Sequence, residues 1–269
     1  MTNKALTVSI VIPAYNEENH LAACLDAIAA QTVAPDEVIV VDNNSTDKTV
    51  AVARQYPFVR ILKAKKQGPL WARNKGFDSA RSDILGRIDA DTILPPDWVA
   101  RIRAFYKAAE HANFALTGGC YFYNVRLPRF ASWVQGQVVF RVNRLLLGHY
   151  ITYGSNMAVP KKLWLAIRDK VCFRDDIHED LDLSVHLHRA GYQISYDESI
   201  KVGVKMRRVR STRRDLWANL MLWPQTLRVH GRWTWVFGWF GAFLLYALFP
   251  VVLVGEGLAR VFGRTPLPE

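Results

Sequence analysis

VSIVIPAYNEENHLAACLDAIAAQTVAPDEVIVVD, residues 8–42, decides the fold. Its two β-branched runs, 8–12 and 37–42, are short and bounded by turn residues, the pattern of buried strands. Between them the stretch 18–31 sets Leu21, Leu25, Ile28 and Ala29 at i, i+4, i+7 and i+8, one face of a helix. Strand, helix, strand predicts a right-handed crossover joining a parallel pair. Outward from this unit the pattern repeats. A third strand is expected at 59–63, a fourth at 84–89 and another at 115–123, with helices over 47–56 and 70–80 and one beginning at Pro96. Further on, a helix over 180–190 is stopped by Gly191 and followed by a strand at 193–197. The result is an α/β fold with a mostly parallel central sheet flanked by helices.

The chain has 269 residues, enough for one large domain or two small ones, and half of them are hydrophobic. With 22% charged residues and no glycine period, it is neither disordered nor fibrous. The net charge of +11 is unevenly placed: residues 201–232 hold nine basic side chains and one acidic, so most of the chain is near neutral. A protein that coats nucleic acid is therefore a poor description, and one segment calls for an anionic partner. Cys24, Cys120 and Cys172 are odd in number and far apart, offering neither a disulfide framework nor a CxxC pair. The first residues reach an apolar strand without the long apolar stretch of a secretory signal, so the domain is expected to stay where it is made.

Residues 233–255, WTWVFGWFGAFLLYALFPVVLVG, carry no charge. As a helix rising ~1.5 Å per residue they would reach ~34 Å, against ~30 Å for a bilayer's hydrocarbon core. Five of the nine tryptophans lie between Trp217 and Trp239, next to the basic segment, as an interfacial belt would have them. A spanning or interfacial helix is expected here, with the basic side, and so the folded domain, cytoplasmic. Pro250 allows the alternative of a bent helical hairpin.

In open α/β sheets, loops beyond the carboxyl ends of the strands converge on one crevice. Those loops here carry Pro13-Ala14-Tyr15-Asn16-Glu17, then Asp42 to Asp47, then Asp89-Ala90-Asp91, with Arg73 before the fourth strand. Asp42 can accept from a base imide or a ribose hydroxyl. Asp89 and Asp91 can share a sugar hydroxyl and a hard divalent cation, Mg²⁺ or Mn²⁺, which would neutralise a departing diphosphate. A second acidic cluster, His178-Glu179-Asp180, opens a later helix.

Taken together, VSIVIPAYNEE, VVDNNSTDKT, GPLWARNKGFDSA, IDADT, GSNMAVPKKLW and HEDLDLSVHLHRAGY resemble the inverting glycosyltransferases of family 2, over about three quarters of the chain. The resemblance implies a GT-A fold, Rossmann-like, over residues 1–205; charge and hydropathy add a basic juxtamembrane segment at 206–232, the apolar helix at 233–255 and a tail at 256–269. It implies that Pro13, Ala14, Tyr15, Glu17 and Asp42 line the nucleotide of a UDP- or GDP-sugar, that Asp89 is near the ribose, and that Asp91 holds the metal. It also implies that Asp180, beside Glu179, is the base that deprotonates the acceptor, and that Asn156 is near a sugar. A carboxylate at a helix N-terminus stays ionised more readily, which suits that role.

Two departures from the family pattern matter. The Gln-x-x-Arg-Trp motif of processive members is missing from 206–217, which favours transfer of a single sugar, and a lipid-linked acceptor, or another glycan, suits a membrane-associated enzyme. Where several members place a metal-binding histidine, this chain has Lys201, Lys205 and Arg207. Ile88 to Thr92 also fits the DxDxT of haloacid-dehalogenase-type phosphatases, but three strands precede it here. A zinc protease is disfavoured because His178-Glu179 meets Asp182, not a second histidine, four residues on, leaving His186 and His188 as surface or packing residues. A membrane adaptor that binds nucleotide sugar without turning it over is the non-enzyme alternative.

Overall fold

The computed structural model describes residues 6–125, 128–205, 212–244 and 246–247. The chain begins with β1 (Val8–Ala14), α1 (Leu21–Ala29), β2 (Glu37–Asp42), α2 (Thr49–Ala53), β3 (Val59–Lys63), α3 (Pro69–Ser79), β4 (Ile84–Arg87) and α4 (Trp98–Lys107). Next come β5 (Phe114–Thr117), β6 (Cys120–Phe122), α5 (Pro128–Gln135), a π-helical turn continuing into α6 (Asn143–Leu147), then β7 (Met157–Pro160) and α7 (Lys161–Ile167). The last elements are α8 (Glu179–Arg189), β8 (Gln193–Tyr196), β9 (Val202–Val204) and α9 (Arg213–Val229). Seven strands form one sheet in the order β3-β2-β1-β4-β7-β5-β8, parallel except for β7; β6 and β9 pair in a small second sheet.

The period of two along β1 and β2 sorts their side chains between two cores. Val8, Ile10, Ile12, Val38 and Val40 pack with Leu25 of α1 and Trp98 of α4 on one face. Val11, Ile39 and Val41 pack with Phe77 of α3, Trp164 of α7 and Leu187 of α8 on the other. Helix α3 lies close because Gly76 has no side chain: a Cβ there would fall 2.2 Å from Val11 Cγ1.

Two expectations change. The strand expected at 115–123 is two strands, because Gly118 and Gly119 carry the chain from the large sheet to the small one; a Cβ at Gly118 would meet Ile200 at 2.5 Å and the Asn156 amide at 2.6 Å. The fourth strand stops at Arg87, because Asp89 and Thr92 close a tight turn, Thr92 N–H donating to Asp89 O at 3.0 Å. The sheet is mostly parallel, as expected, with the GSNMAVP run entering it reversed as β7.

At the C-terminal side, residues 235–244 are helical and pack small side chains inward: Ala242 is buried and Gly238 abuts Pro224 of α9. Among the described residues no helix is long and apolar enough to cross a membrane, so the expected apolar spanning helix is not found there. Residues 245 and 248–255 of that run lie outside the described residues, as do 206–211 and the tail at 256–269.

Candidate active site

Parallel pairing sets Ala14 beside Asp42, and Asn43 N–H donates to Ala14 O at 2.8 Å, so the loops after β1 and β2 leave the sheet together. Asn16 (φ +54°) and Asn44 (φ +65°) take left-handed conformations that asparagine tolerates well. Asp42 accepts from Ser45 N–H at 3.0 Å and Asn16 Oδ1 accepts from Thr46 N–H at 2.8 Å, which stitches the two loops. Pro13, Ala14 and Asp42 thus form one floor, with Tyr15 half exposed above it. Glu17 is buried, and its carboxylate lies 3.1 Å from His20 Nδ1. The other ring nitrogen, Nε2, is 3.1 Å from Lys205 Nζ, so the ammonium donates to it and Nδ1 carries the proton towards Glu17. Lys205, one of the basic residues standing where the resemblance puts a metal-binding histidine, therefore reaches this loop from the end of β9.

The centre of the crevice is organised by a residue the sequence reading passed over. Arg87, the last residue of β4, is buried and meets three carboxylates: Asp89 at 3.0 Å, Asp180 at 3.1 Å and Glu179 at 3.4 Å. Asp89 also accepts from Ser155 Oγ. Space for this knot exists because residue 154 is glycine: a Cβ there would fall 1.3 Å from Arg87 Nη1 and 2.4 Å from Asp180 Oδ2. The GSN motif thus contributes through Gly154 and Ser155. Asn156, by contrast, spends its amide on Gly119 O and Ile200 O and its carbonyl on Trp98 Nε1, a buried structural node.

Burial, reinforced by Glu179, pushes the Asp180 carboxyl up to about 6 against the pull of Arg87. Burial works on Glu179 in the same direction, but Arg87, His178 and Arg73 outweigh it and hold that carboxyl below its usual range. The pair divides its roles: Glu179 stays ionised, whereas Asp180 titrates close to neutrality.

The other expected residues fall as follows. Asp91 is buried beside Asp89 on the turn after β4, its backbone carbonyl accepting from Tyr123 Oη at 3.1 Å; Ala90 between them packs in the core. Arg73 is completely buried on α3 and donates to the carbonyl of Glu179 at 2.7 Å, so it fixes the start of α8 and does not line the crevice. Asp89 and Asp91 offer the hard oxygens that a divalent cation prefers. A cavity of about 660 Å³ opens beside the small sheet, lined by Trp133, Phe140, Tyr150 and Tyr196 with Arg141 and Lys201. It also touches Cys120, whose thiol faces Tyr153 Oη at 3.7 Å, immediately before Gly154.

Comparison with known proteins adds what geometry alone does not. The family described as Glycosyl transferase family 2 matches residues 9–167, more than half of the chain. Glycosyltransferase AglE of Haloferax volcanii is 35% identical over 108 residues, covering 38% of this chain and 36% of that protein. Hyaluronan synthase of Pasteurella multocida is 37% identical over 101 residues, covering 36% of this chain but 10% of that protein. The chain spans about a third or less of the length of these curated relatives. Among solved structures, the mannosyltransferase PcManGT of Pyrobaculum calidifontis, in complex with GDP-Man and Mn²⁺, superposes with a TM-score of 0.64 at 19% identity over 98% of this chain and 78% of its own. S. aureus TarS in complex with UDP-GlcNAc gives 0.59 at 19% identity, over 80% and 64%. At these identities the likeness is one of fold.

Proposed function

We propose, from the premise that the chain belongs to glycosyltransferase family 2 and is a glycosyltransferase, that it moves one sugar from a nucleotide-sugar donor to a lipid-linked acceptor with inversion. The observation that carries this reading is the knot around Arg87, where strand end and helix start bring Asp89, Glu179 and Asp180 within one guanidinium's reach. A site built only to hold a nucleotide has no need of a carboxyl tuned towards neutrality beside its donor carboxylates.

In this reading the nucleotide of a UDP- or GDP-sugar lies on Pro13, Ala14, Tyr15 and Asp42, and Asp89 receives the ribose. Asp91, with Asp89 beside it, would hold Mg²⁺ or Mn²⁺, which supplies charge neutralisation for the departing diphosphate. Lys205 and His20 add cationic and hydrogen-bonding character at the same edge. Asp180 takes the proton of the acceptor hydroxyl; the hydroxyl oxygen forms its bond to the anomeric carbon as the bond to the diphosphate oxygen breaks on the opposite face. Arg87 occupies one direction on each Asp180 oxygen, leaving further lone pairs for that proton. Gly154 and Ser155 keep Arg87 and Asp89 in register.

The aromatic and cationic cavity beside the small sheet suits an acceptor with an apolar body and a phosphate. Membrane association is supported by Trp233, Phe237, Phe240 and Phe243, all exposed, and by Arg213, whose guanidinium stacks on Tyr246 of the same C-terminal stretch. The positive side of that segment argues for a cytoplasmic catalytic domain.

A thermal-shift series tests the donor half: nucleotide diphosphates and sugar nucleotides with and without Mn²⁺, on wild type and Asp91→Asn. The right donor raises the melting temperature by mass action, and only with metal. Asp91→Asn should lose the metal-dependent part. An unchanged Mn²⁺ dependence in that variant refutes the metal assignment. Sedimentation with anionic lipid vesicles tests the membrane half, and a full-length chain left wholly in the supernatant refutes it.

A further inference from the structure

Helix α8 carries a second group of ligand-type side chains, on another face from Asp180. At 3.6 residues per turn, Asp182 and His186 stand ~200° and ~240° round the helix from it. They meet Cys172, from the segment after α7, and His230, at the C-terminal end of α9; one ligand atom from each lies within 4.8 Å of all the others. Cys172 Sγ is 3.7 Å from His186 Nε2, which is 3.4 Å from Asp182 Oδ1; His230 Nε2 is 2.8 Å from that same oxygen. We propose that Cys172, Asp182, His186 and His230 bind a zinc ion at a structural site that fastens α9 to the helix bearing Glu179 and Asp180.

The geometry suits the ion. Tetrahedral zinc takes sulfur at ~2.3 Å and nitrogen or oxygen at ~2.0–2.2 Å, which sets ligand atoms about 3.3–3.6 Å apart. The sulfur–nitrogen and nitrogen–oxygen separations are already close to that, and the shorter His230–Asp182 contact, a hydrogen bond, lengthens when its proton gives way to metal. The ligand set is also selective, since one thiolate and two imidazoles favour zinc over the hard cations that suit Asp89 and Asp91. The ligands are held in place: Asp182 Oδ2 accepts from Cys172 N–H at 3.0 Å, leaving Oδ1 for the ion. Asp182 and His230 are buried while Cys172 and His186 are partly exposed, so the ion has a way in.

The protons balance. Zinc binds thiolate, carboxylate and an imidazole nitrogen of each histidine, so its binding releases the proton of the Cys172 thiol. On His230 the ring proton moves from Nε2 to Nδ1. Arg189 Nη1 lies 3.2 Å from Nδ1 and swings aside, which its exposure permits, while its Nη2 keeps the bond to the His230 carbonyl.

The test uses full-length protein without a histidine tag, purified in the absence of chelator. Metal analysis should find about one zinc per chain, retained in Asp91→Asn and reduced with an affinity loss of at least ~10–100-fold in Cys172→Ser and His230→Gln. Cobalt(II) added to the zinc-stripped chain should give the visible bands of a tetrahedral ion and a thiolate-to-cobalt charge-transfer band that Cys172→Ser abolishes. Should either variant fail to fold, the wild-type zinc content and cobalt spectrum still decide. A wild-type chain without stoichiometric zinc, an octahedral cobalt spectrum without the thiolate band, or zinc unchanged in both variants overturns the proposal.

Discussion

Asp180 and Asp182 stand two positions apart on α8, are both buried, and are driven in opposite directions. Burial raises Asp180, with Glu179 adding to the rise and Arg87, His178 and Arg73 pulling against it. Burial also opposes the charge on Asp182, yet hydrogen bonds from His186, His230 and Cys172 hold that carboxyl far below its usual range. The donors aimed at Asp182 outweigh its burial, whereas the cations near Asp180 do not. One position is therefore kept ready to take a proton, and the other is kept from ever doing so.

The most disruptive way to break this contrast is Arg87→Met, which leaves the buried Asp180 and the partly buried Glu179 and Asp89 without their cation. The expected loss is about 3–5 kcal/mol of stability in urea unfolding. A loss below ~1 kcal/mol would mean the three carboxylates do not depend on that cation. Asp182→Asn comes next. Its amide cannot replace the charge that three donors share, and about 1.5–3 kcal/mol should go. Gly154→Ala drives a methyl into the Arg87–Asp180 contact, with a cost of about 1–3 kcal/mol and a loss of transfer activity. The smallest effect has the opposite sign. A carboxyl whose folded value lies near 6, above the unfolded ~3.9, contributes stability that is present below ~4 and lost as pH rises through about 6. Asp180→Asn should therefore melt a few degrees higher than wild type at pH 8 and no higher at pH 4, measured without donor. An Asp180→Asn variant less stable than wild type at pH 8 would erase the contrast with Asp182.

Much of this was legible in the sequence. The β-branched runs at 37–42 and 59–63 coincide with β2 and β3, and Gly191 (φ +83°) ends α8 where its position suggested. The strand-end polar residues do gather at one edge, because parallel register forces it. What stayed hidden depends on partners distant in sequence. Arg87 reads as an ordinary charge in ILGRIDADT, and only the arrival of α8, more than ninety residues later, makes it the hub. The useful signal was there: a cation inside a strand otherwise buried on both faces needs partners. Arg73 and Asn156 were in view as site residues, but their hydrogen bonds are spent inside the fold. The Cys172–His230 grouping has no motif spacing, since its members come from three segments, and His186 alone gave no hint beyond its place four residues after Asp182.

The central claim is that Asp180 removes the acceptor's proton and does little for donor binding. Its direct test is a paired measurement on wild type and Asp180→Asn, with donor affinity from the thermal shift and sugar transfer from product formation. The amide keeps shape and hydrogen bonding while abolishing basicity, so transfer should fall by roughly 10²-fold or more with donor affinity nearly unchanged. Transfer at the wild-type rate, or a fall matched by an equal loss of donor affinity, would contradict it.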